Sequence, residues 1–230
     1  MGNYLIAGGN SGIGQALVSE LIDEGHTLSL ALRDPESAPD GVSAQPFDAC
    51  QSDVSLDLPE VLHGLVYCPG TISLKPFHRF TDEDFQNDWE VNFLGAVRLI
   101  REALPALKKS DQASIVLFST VAVQTGLPFH ASISAAKGAI EGLGRSLAAE
   151  LAPKIRVNII APSLTDTPLA SSLLGSPEKQ EASANRHPLK RIGDAQETAK
   201  VVKMLLSEDS GYMTGQVLQL DGGLSSLKLF

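Results

Sequence analysis

The sequence has only two cysteines, Cys50 and Cys68, among its 230 residues. Their surroundings are unrelated and the five histidines show no ligand spacing, so we expect free thiols in a reducing compartment and no metal site. No apolar run approaches the roughly 20 residues that cross a bilayer, and the first apolar strand begins too close to Met1 for a signal peptide. These absences predict a cytoplasmic protein without a membrane span.

Basic residues are also scarce. The 18 Lys and Arg residues stand against 27 Asp and Glu, which gives a formal charge of −9, and no basic run is present. Because the neutralisation of nucleic-acid phosphates requires a basic face, the composition argues against nucleic acid and favours a small-molecule substrate. A chain of this length is expected to form one domain over residues 1–230, with about 70% of its unfolded surface buried.

A glycine-rich turn near the N-terminus is the most informative stretch that the sequence does contain. It follows an apolar strand at residues 4–7 and opens an amphipathic helix. Gly8 permits a tight turn, Gly12 removes a Cβ where a ligand approaches, and Gly14 allows close packing of helix on strand. The free amides at the helix start form a site for a pyrophosphate. The pattern predicts that a dinucleotide binds to this turn, which also contains Asn10, Ser11 and Ile13.

The end of the second predicted strand, at residues 28–32, bears on the choice of cofactor. An acidic residue about 20 positions beyond the glycines binds the ribose 2′-hydroxyl of NAD, whereas a nearby Arg suits the 2′-phosphate of NADP. Leu32 occupies the acidic position and Arg33 follows it, so NADP is favoured. The neighbouring Asp34 could instead bind a ribose hydroxyl, so NAD remains a possible cofactor. The alternative interpretation of Arg33 is an ordinary solvated loop residue with no role in cofactor binding.

Strand and helix patterns alternate along the chain, which predicts a single-domain α/β Rossmann fold: a doubly wound parallel sheet of about seven strands with helices on both faces. The short link after Asp48 has room for one or two helical turns, which we expect near residues 60–62. One long helix is predicted over residues 82–108, with Asn92 on its apolar face, where an amide normally costs stability. The polar segment 164–186 is predicted to be a mobile substrate lid.

Taken in order, these motifs resemble the short-chain dehydrogenase/reductase family over residues 4–223. The glycine turn is similar to the family's cofactor loop, although Ala7 stands where Thr is usual. Asn92 is similar to the Asn that kinks a helix in the family and holds a proton-relay water. The resemblance implies further cofactor contacts, made by Asp48 to the adenine amino group, by Gly70 close to the ligand, by Lys137 to the nicotinamide ribose, and by Pro162 and Thr167 at the nicotinamide.

The sequence also departs from the family pattern. Residues 65–70 stand where Asn-Asn-Ala-Gly is usual, and only the final Gly is retained; Ser163 likewise replaces a usual Gly. The family's acid is a Tyr four residues before the Lys, and the count back from Lys137 arrives at Ile133. The family's Ser falls on Thr120, which keeps a hydroxyl and has a simpler interpretation as a strand-end residue.

The identity of the proton donor is therefore open. His130 lies seven residues before the Lys, at the spacing of the Tyr in the divergent enoyl-reductase branch of the family, and His donates protons near neutral pH. The alternative is a loop histidine packed by its neighbours Pro128 and Phe129. Ser132 and Ser134 flank Ile133 on the helix but point about 100° away, Tyr67 is expected to be a buried strand residue, and water is a further source.

Two functions follow from the resemblance. The first is an NADP(H)-dependent oxidoreductase in which Asn92, Thr120 and Lys137 act on a carbonyl or an activated double bond, with His130 or water as the proton source. The second is a nucleotide-binding pseudoenzyme that serves as a sensor or as a partner subunit. The family's pairing through its two long helices, together with the small-residue face of residues 135–144, implies a homodimer or homotetramer.

Overall fold

The computed structural model describes residues 1–228. Its strands form one seven-stranded sheet in the order β3-β2-β1-β4-β5-β6-β7, and every pairing is parallel. The sheet confirms the predicted single-domain α/β Rossmann fold. The strands are β1 (Asn3–Ala7), β2 (Thr27–Leu32), β3 (Ser43–Pro46), β4 (Gly64–Tyr67), β5 (Ala113–Phe118), β6 (Ile155–Pro162) and β7 (Val217–Leu220).

Helices cover both faces of the sheet, as a parallel sheet requires. None of the helices within residues 1–228 is long and apolar enough to cross a membrane. They are α1 (Gly12–Asp23), α2 (Asp82–Trp89), α3 (Gly95–Leu107), α4 (Ala122–Thr125), α5 (Ala131–Leu151), α6 (Pro177–Arg186) and α7 (Ala195–Leu206), with 3₁₀ turns at Pro35–Ser37, Phe77–Arg79, Pro168–Leu173 and Glu208–Ser210.

Alternate strand residues build two apolar layers. Along β1, Leu5 and Ala7 join the layer that contains residues of α3 and α5, whereas Tyr4 and Ile6 join the layer of α1 and α7. This alternation follows from the period of two in a strand. Since both faces of β1 and β5 are buried, the central strands form a rigid base for whatever lies at their carboxyl ends.

The predicted long helix over residues 82–108 is interrupted. A π-helical turn, Glu90–Leu94, joins α2 to α3, and the Gly95 N–H donates to the Glu90 carbonyl five residues earlier. The helix begins at a capping box in which Thr81 and Asp84 satisfy each other's free amides. The wide turn contains Asn92, so the helix changes to π geometry at the residue where the family resemblance implies a kink.

The link between β3 and β4 differs from the prediction. No helical turn forms at residues 60–62, and Asp48 lies two residues beyond the end of β3. The backbone is instead satisfied by neighbours, because the Leu62 N–H donates to the Ala106 carbonyl and the Asn3 amide donates to the Val61 carbonyl. Apolar side chains of this irregular link pack on the core in place of a helix; they are Val54, Leu56 and Leu58.

Two other regions of the chain contain short helical elements. The short helix α4 follows β5. The predicted lid, residues 164–186, contains the 3₁₀ turn at Pro168–Leu173 and the whole of the helix α6. Ser176 caps α6 by accepting from the Lys179 N–H.

Candidate functional site

The candidate site lies at the carboxyl ends of β1 and β4. These two strands are neighbours in the sheet, but the chain continues from β1 to one side of the sheet and from β4 to the other. Such a switch point leaves a crevice in which the ligands of open α/β sheets bind. Gly8 follows β1 and Gly70 follows β4, so both glycines border the crevice.

The glycine turn has the geometry that the sequence predicts. Gly8 and Gly12 have φ angles of +72° and +52°, which L-residues with side chains rarely adopt. A Cβ at Gly14 would lie 2.1 Å from the Gly8 carbonyl oxygen, so only glycine lets α1 pack this closely on the turn. Ser11 occupies the N-cap but its side chain makes no capping hydrogen bond. The amides of Ile13 and its neighbours therefore begin a helix without a side-chain cap, which suits an anion.

Thr167 meets the glycine turn from the opposite side of the crevice. A Cβ at Gly12 would lie 3.2 Å from the Thr167 Cγ2 atom. Thr167 follows the long strand β6, whose last residue, Pro162, accepts a hydrogen bond from the Val121 N–H. The first residues of the predicted lid are thus held beside the predicted pyrophosphate site.

The residues that bear on the 2′-position lie on one exposed loop. Asp34 is occupied in local structure, because its Oδ1 accepts from the Glu36 N–H. Arg33 is exposed and makes no hydrogen bond or ion pair within residues 1–228. Asn10 reaches this loop from the glycine turn and donates to Ser37 Oγ at 2.9 Å. The turn and the Arg33 loop therefore form one continuous rim.

Asp48 continues this rim. Its Oδ1 atom accepts from the Cys50 N–H at 2.9 Å, and the side chain is half-buried. The bond fixes the carboxylate at the start of the irregular link, at the same end of the sheet as the Arg33 loop. Its second oxygen is left for other donors.

Gly70, Asn92 and Lys137 converge at the centre of the site. A Cβ at Gly70 would lie 3.2 Å from Asn92 Oδ1 and 3.7 Å from Lys137 Nζ. Asn92 is fully buried, and its amide nitrogen donates to Thr71 Oγ1 at 2.7 Å and to the Asp88 carbonyl at 2.9 Å. Three residues that are far apart in sequence therefore surround one small volume.

Lys137 is an ammonium group in a poorly solvated place. Its side chain is only 8% exposed. Burial lowers the pKa of Lys137 from 10.5 to about 8, and the electrostatic effects of Cys68 and Asp88 oppose this fall. Burial also raises the pKa of the Cys68 thiol to about 12, so this thiol is not a nucleophile near neutral pH.

Asp88 and Thr71 are members of this cluster that the sequence analysis missed. Asp88 is fully buried, and its Oδ1 accepts from Thr71 Oγ1. A signal was present in the sequence, because Asp88 precedes Asn92 by four residues and therefore shares its helix face. Thr71 directly follows Gly70.

The side chains around the predicted acid position lie on or beside the first turns of α5. Ile133 is 5% exposed, and Ser132 Oγ lies 3.5 Å from the Asp84 carbonyl. His130 is the N-cap residue of α5; it is half-buried, and its Nδ1 lies 2.7 Å from the Pro128 carbonyl. Lys137 lies seven residues after His130, and this spacing corresponds to about 10 Å along the helix axis.

The two hydroxyls at the end of β5 point in different directions. Ser119 is buried, and its hydroxyl donates to Oε1 of Glu141, a residue of α5, at 2.8 Å. Thr120 is partly exposed, and its Oγ1 accepts from the Ala122 N–H at 3.3 Å. Of this pair, Thr120 is the hydroxyl that is not buried.

Tyr67 is a structural residue, as the sequence analysis expected of a buried strand tyrosine. Its hydroxyl donates to the Val91 carbonyl at 2.6 Å within the π-turn, and burial raises its pKa well above the usual range. A Cβ at Gly95 would lie 2.2 Å from the Tyr67 hydroxyl oxygen, so Gly95 makes room for this bond. Tyr67 thus supplies a polar link from β4 to the kinked helix.

Ser163, which stands where the family has Gly, binds the end of the lid. Its Oγ lies 2.9 Å from His187 Nε2, and His187 Nδ1 lies 2.8 Å from the Ser183 carbonyl. His187 is only 3% exposed and lines a cavity of about 190 Å³ together with Asp221. The imidazole therefore connects the last turn of α6 to the end of β6.

Comparison with known proteins identifies the class. The family model described as enoyl-(acyl carrier protein) reductase matches residues 48–225. A tropinone reductase homolog of Arabidopsis thaliana is 36% identical over 242 residues, covering 97% of this chain and 92% of the relative. The 3-oxoacyl-(acyl-carrier-protein) reductase MabA of Mycobacterium tuberculosis is 30% identical over 230 residues, covering 96% and 92%. The chain belongs to the short-chain dehydrogenase/reductase family.

Solved structures share the whole fold. The aldohexose dehydrogenase of Thermoplasma acidophilum superposes with a TM-score of 0.90 at 25% identity, covering 100% of this chain and 96% of that one. ElxO with NADP bound has a TM-score of 0.87 at 25% identity, covering 99% and 100%, and a Tyr-to-Phe variant of ElxO with NADPH bound has the same score. A 3-oxoacyl-(acyl-carrier-protein) reductase of Brucella melitensis with bound NAD has a TM-score of 0.83 at 27% identity, covering 98% and 91%.

Proposed function

We propose that this chain is an oxidoreductase that transfers a hydride between NADP(H) and a carbonyl or activated double bond of a small organic substrate. The convergence of Gly70, Asn92 and Lys137 beside the glycine turn carries the proposal. Membership of the family and the bound NADP and NAD of its structural neighbours support a nicotinamide cofactor.

The residues present fit such a cofactor. The uncapped start of α1 presents amides to a pyrophosphate, and substitution of Gly14 would close the turn. Lys137 would hold the nicotinamide ribose, Thr167 the nicotinamide amide, and Asp48 the adenine amino group. When bound, the nicotinamide supplies the hydride and accepts it in the reverse direction.

NADP is the preferred form in this proposal. Arg33 is exposed and without an ionic partner among residues 1–228, so its guanidinium is available to a 2′-phosphate. Asp34 is engaged with the Glu36 N–H and is therefore a poorer acceptor for a ribose hydroxyl than a free carboxylate.

The chain's own groups divide the remaining chemistry. Thr120 donates one hydrogen bond to the substrate oxygen, on which negative charge develops. Lys137 stabilises this charge from the ribose side. The side chain of Ile133 has no ionisable proton, so we propose that His130 or a water molecule protonates the substrate.

One experiment tests both the binding and the chemistry. Isothermal titration with NADPH and NADH is followed by NADPH oxidation assays on ketones, enones and quinones. Tight binding with turnover supports the proposed enzyme, whereas absence of NADPH binding contradicts it. Tight binding without turnover on any substrate supports the pseudoenzyme, which Ile133 favours; the ElxO Tyr-to-Phe variant with NADPH bound is a precedent for cofactor binding without one tyrosine hydroxyl.

Ile133→Tyr tests whether a general acid alone is lacking. We expect ketone reduction to rise by about 100- to 10,000-fold, since this is what a positioned acid contributes. Ile133→Phe is the matched control, because it adds the same ring without the hydroxyl and should give no such gain. Equal activities of the two variants would contradict the role assigned to position 133.

The proposed assembly is a cytoplasmic homodimer or homotetramer. Helix α5 presents glycines to open space, since a Cβ at Gly142 would contact nothing within 4 Å and one at Gly138 would reach only Val123. Gly142→Leu should reduce the mass measured by light scattering to that of a monomer. A monomeric wild-type protein would contradict the proposed assembly.

A further inference from the structure

Asp88 is the least satisfied buried group in the part of the chain that the structure describes. The side chain is 0% exposed, and its Oδ2 makes no hydrogen bond within residues 1–228. A buried carboxylate oxygen without a donor is costly, so its presence calls for a compensating charge or a function.

The hydrogen bonds around Asp88 have a fixed direction. An ionised carboxylate only accepts, so Thr71 Oγ1 must donate to it. The Thr71 oxygen is then an acceptor for the Asn92 amide nitrogen at 2.7 Å. This orientation turns Asn92 Oδ1 toward Gly70, where it also accepts from the Thr71 N–H at 3.3 Å. The carboxylate thus contributes to the orientation of the Asn92 amide, together with the Thr71 N–H and the Asp88 backbone carbonyl that bind the same amide.

The same carboxylate acts on Lys137 through its charge. Lys137 Nζ and Asn92 Oδ1 both lie within 4 Å of the Cβ position at Gly70. Of the charged or titratable groups in the described chain, Asp88 from α2 and Cys68 from the end of β4 are the two that raise the pKa of Lys137 against burial. Because burial raises the pKa of the Cys68 thiol to about 12, Asp88 is the member of this pair that brings a carboxylate to the cluster.

We propose that Asp88 is a positioning residue of the cofactor site, which orients the Asn92 amide through Thr71 and keeps Lys137 in its ammonium form for the nicotinamide ribose. The inference rests on the proposed function for its purpose, but the charge relationship between Asp88 and Lys137 does not require a cofactor. The two can therefore be tested separately.

The charge relationship is tested in the cofactor-free protein. Lysine side chains are labelled with ¹³C, and the Cε signal of Lys137, assigned by its loss in Lys137→Met, is followed by NMR as a function of pH. In Asp88→Asn the titration midpoint of Lys137 should fall by about one pH unit, because the substitution removes the nearby carboxylate. Glu83→Gln is the matched control, since it removes one exposed carboxylate from the same helix and should leave the midpoint unchanged. An unchanged midpoint in Asp88→Asn would overturn the inference.

The orientation of Asn92 is tested through Thr71, which leaves the carboxylate in place if Asp88→Asn does not fold. Thr71→Val removes the hydroxyl that links Asp88 to Asn92, and we expect the Kd for NADPH to rise about tenfold. Thr71→Ser restores the hydroxyl and should recover most of the affinity. Equal weakening by Val and Ser would overturn the orienting role. If the wild-type protein binds no NADPH, the proposed function fails, while the titration of Lys137 still decides the role of Asp88.

Discussion

Lys137→Met should stabilise the protein while it removes the proposed contact to the nicotinamide ribose. The ammonium is 8% exposed, and burial lowers its pKa from 10.5 to about 8. The folded state therefore binds this proton more weakly than the unfolded state does. One pKa unit corresponds to about 1.4 kcal/mol, so at pH 7 the charged lysine destabilises the fold by about 3 kcal/mol relative to a neutral side chain of similar shape.

The sign of the pH dependence distinguishes this effect from a packing effect. Below pH 8 both states are protonated and the full penalty is present. As the pH rises from 8 to 10.5, the folded state loses the proton first, so the wild type gains stability and the gap to Lys137→Met narrows to about 1 kcal/mol at pH 10. Urea unfolding at pH 7 and pH 10 measures both gaps.

Lys200→Met is the matched control, because Lys200 is exposed on α7 and the same substitution there should change stability by less than about 0.5 kcal/mol. The Kd of Lys137→Met for NADPH is measured in parallel and should rise. A variant that is no more stable than the wild type at pH 7, or a gap that does not change with pH, would refute the reasoning.

Three further substitutions probe the turn, the rim and the lid. Gly14→Ala should abolish NADPH binding and destabilise the fold by several kcal/mol on urea unfolding, because the added Cβ would lie 2.1 Å from the Gly8 carbonyl oxygen. Gly175→Ala is the control, since its Cβ would make only ordinary contacts and should leave both binding and stability unchanged. Arg33→Ala should raise the Kd for NADPH by about 10-fold or more and leave that for NADH within about twofold by titration calorimetry; equal losses would contradict the NADP preference. His187→Ala should cost about 2–4 kcal/mol of stability, since it empties a buried site and leaves Ser163 unpaired; a thermal unfolding midpoint equal to that of the wild type would contradict this.

Local patterns predicted the parts of the site that depend on neighbouring residues in sequence. The glycine turn is one example, because the special φ angles at Gly8 and Gly12 and the tight contact at Gly14 are needed by any strand that turns directly into a helix. The start of α7 is set by an equally local feature, because the Asp194 side chain accepts from the Gln196 and Glu197 N–H groups where the apolar period of the helix begins.

Other features depend on long-range contacts that periodicity does not report. The link after β3 has apolar residues at spacings that suit a helical turn, but the end of α3 and β1 bind its backbone instead. The π-turn at residues 90–94 is held by Tyr67 on a distant strand. Asp88 was passed over because a carboxylate on a helix is usually solvated, and its side-chain partner, Thr71, lies 17 residues earlier in the sequence.

The irregular link between β3 and β4 has a consequence for local stability. β3 is a four-residue edge strand, and the segment that follows it has no helix of its own to anchor it to the sheet. Its amides depend on a single neighbour, β2, and Pro46 contributes no N–H. We therefore expect this edge to open in sub-global fluctuations of lower free energy than those of the central strands. The proposed adenosine end of the crevice is thus a part of the molecule that a bound dinucleotide would rigidify, whereas the proposed nicotinamide end is already fixed by β4, β5 and the buried polar cluster.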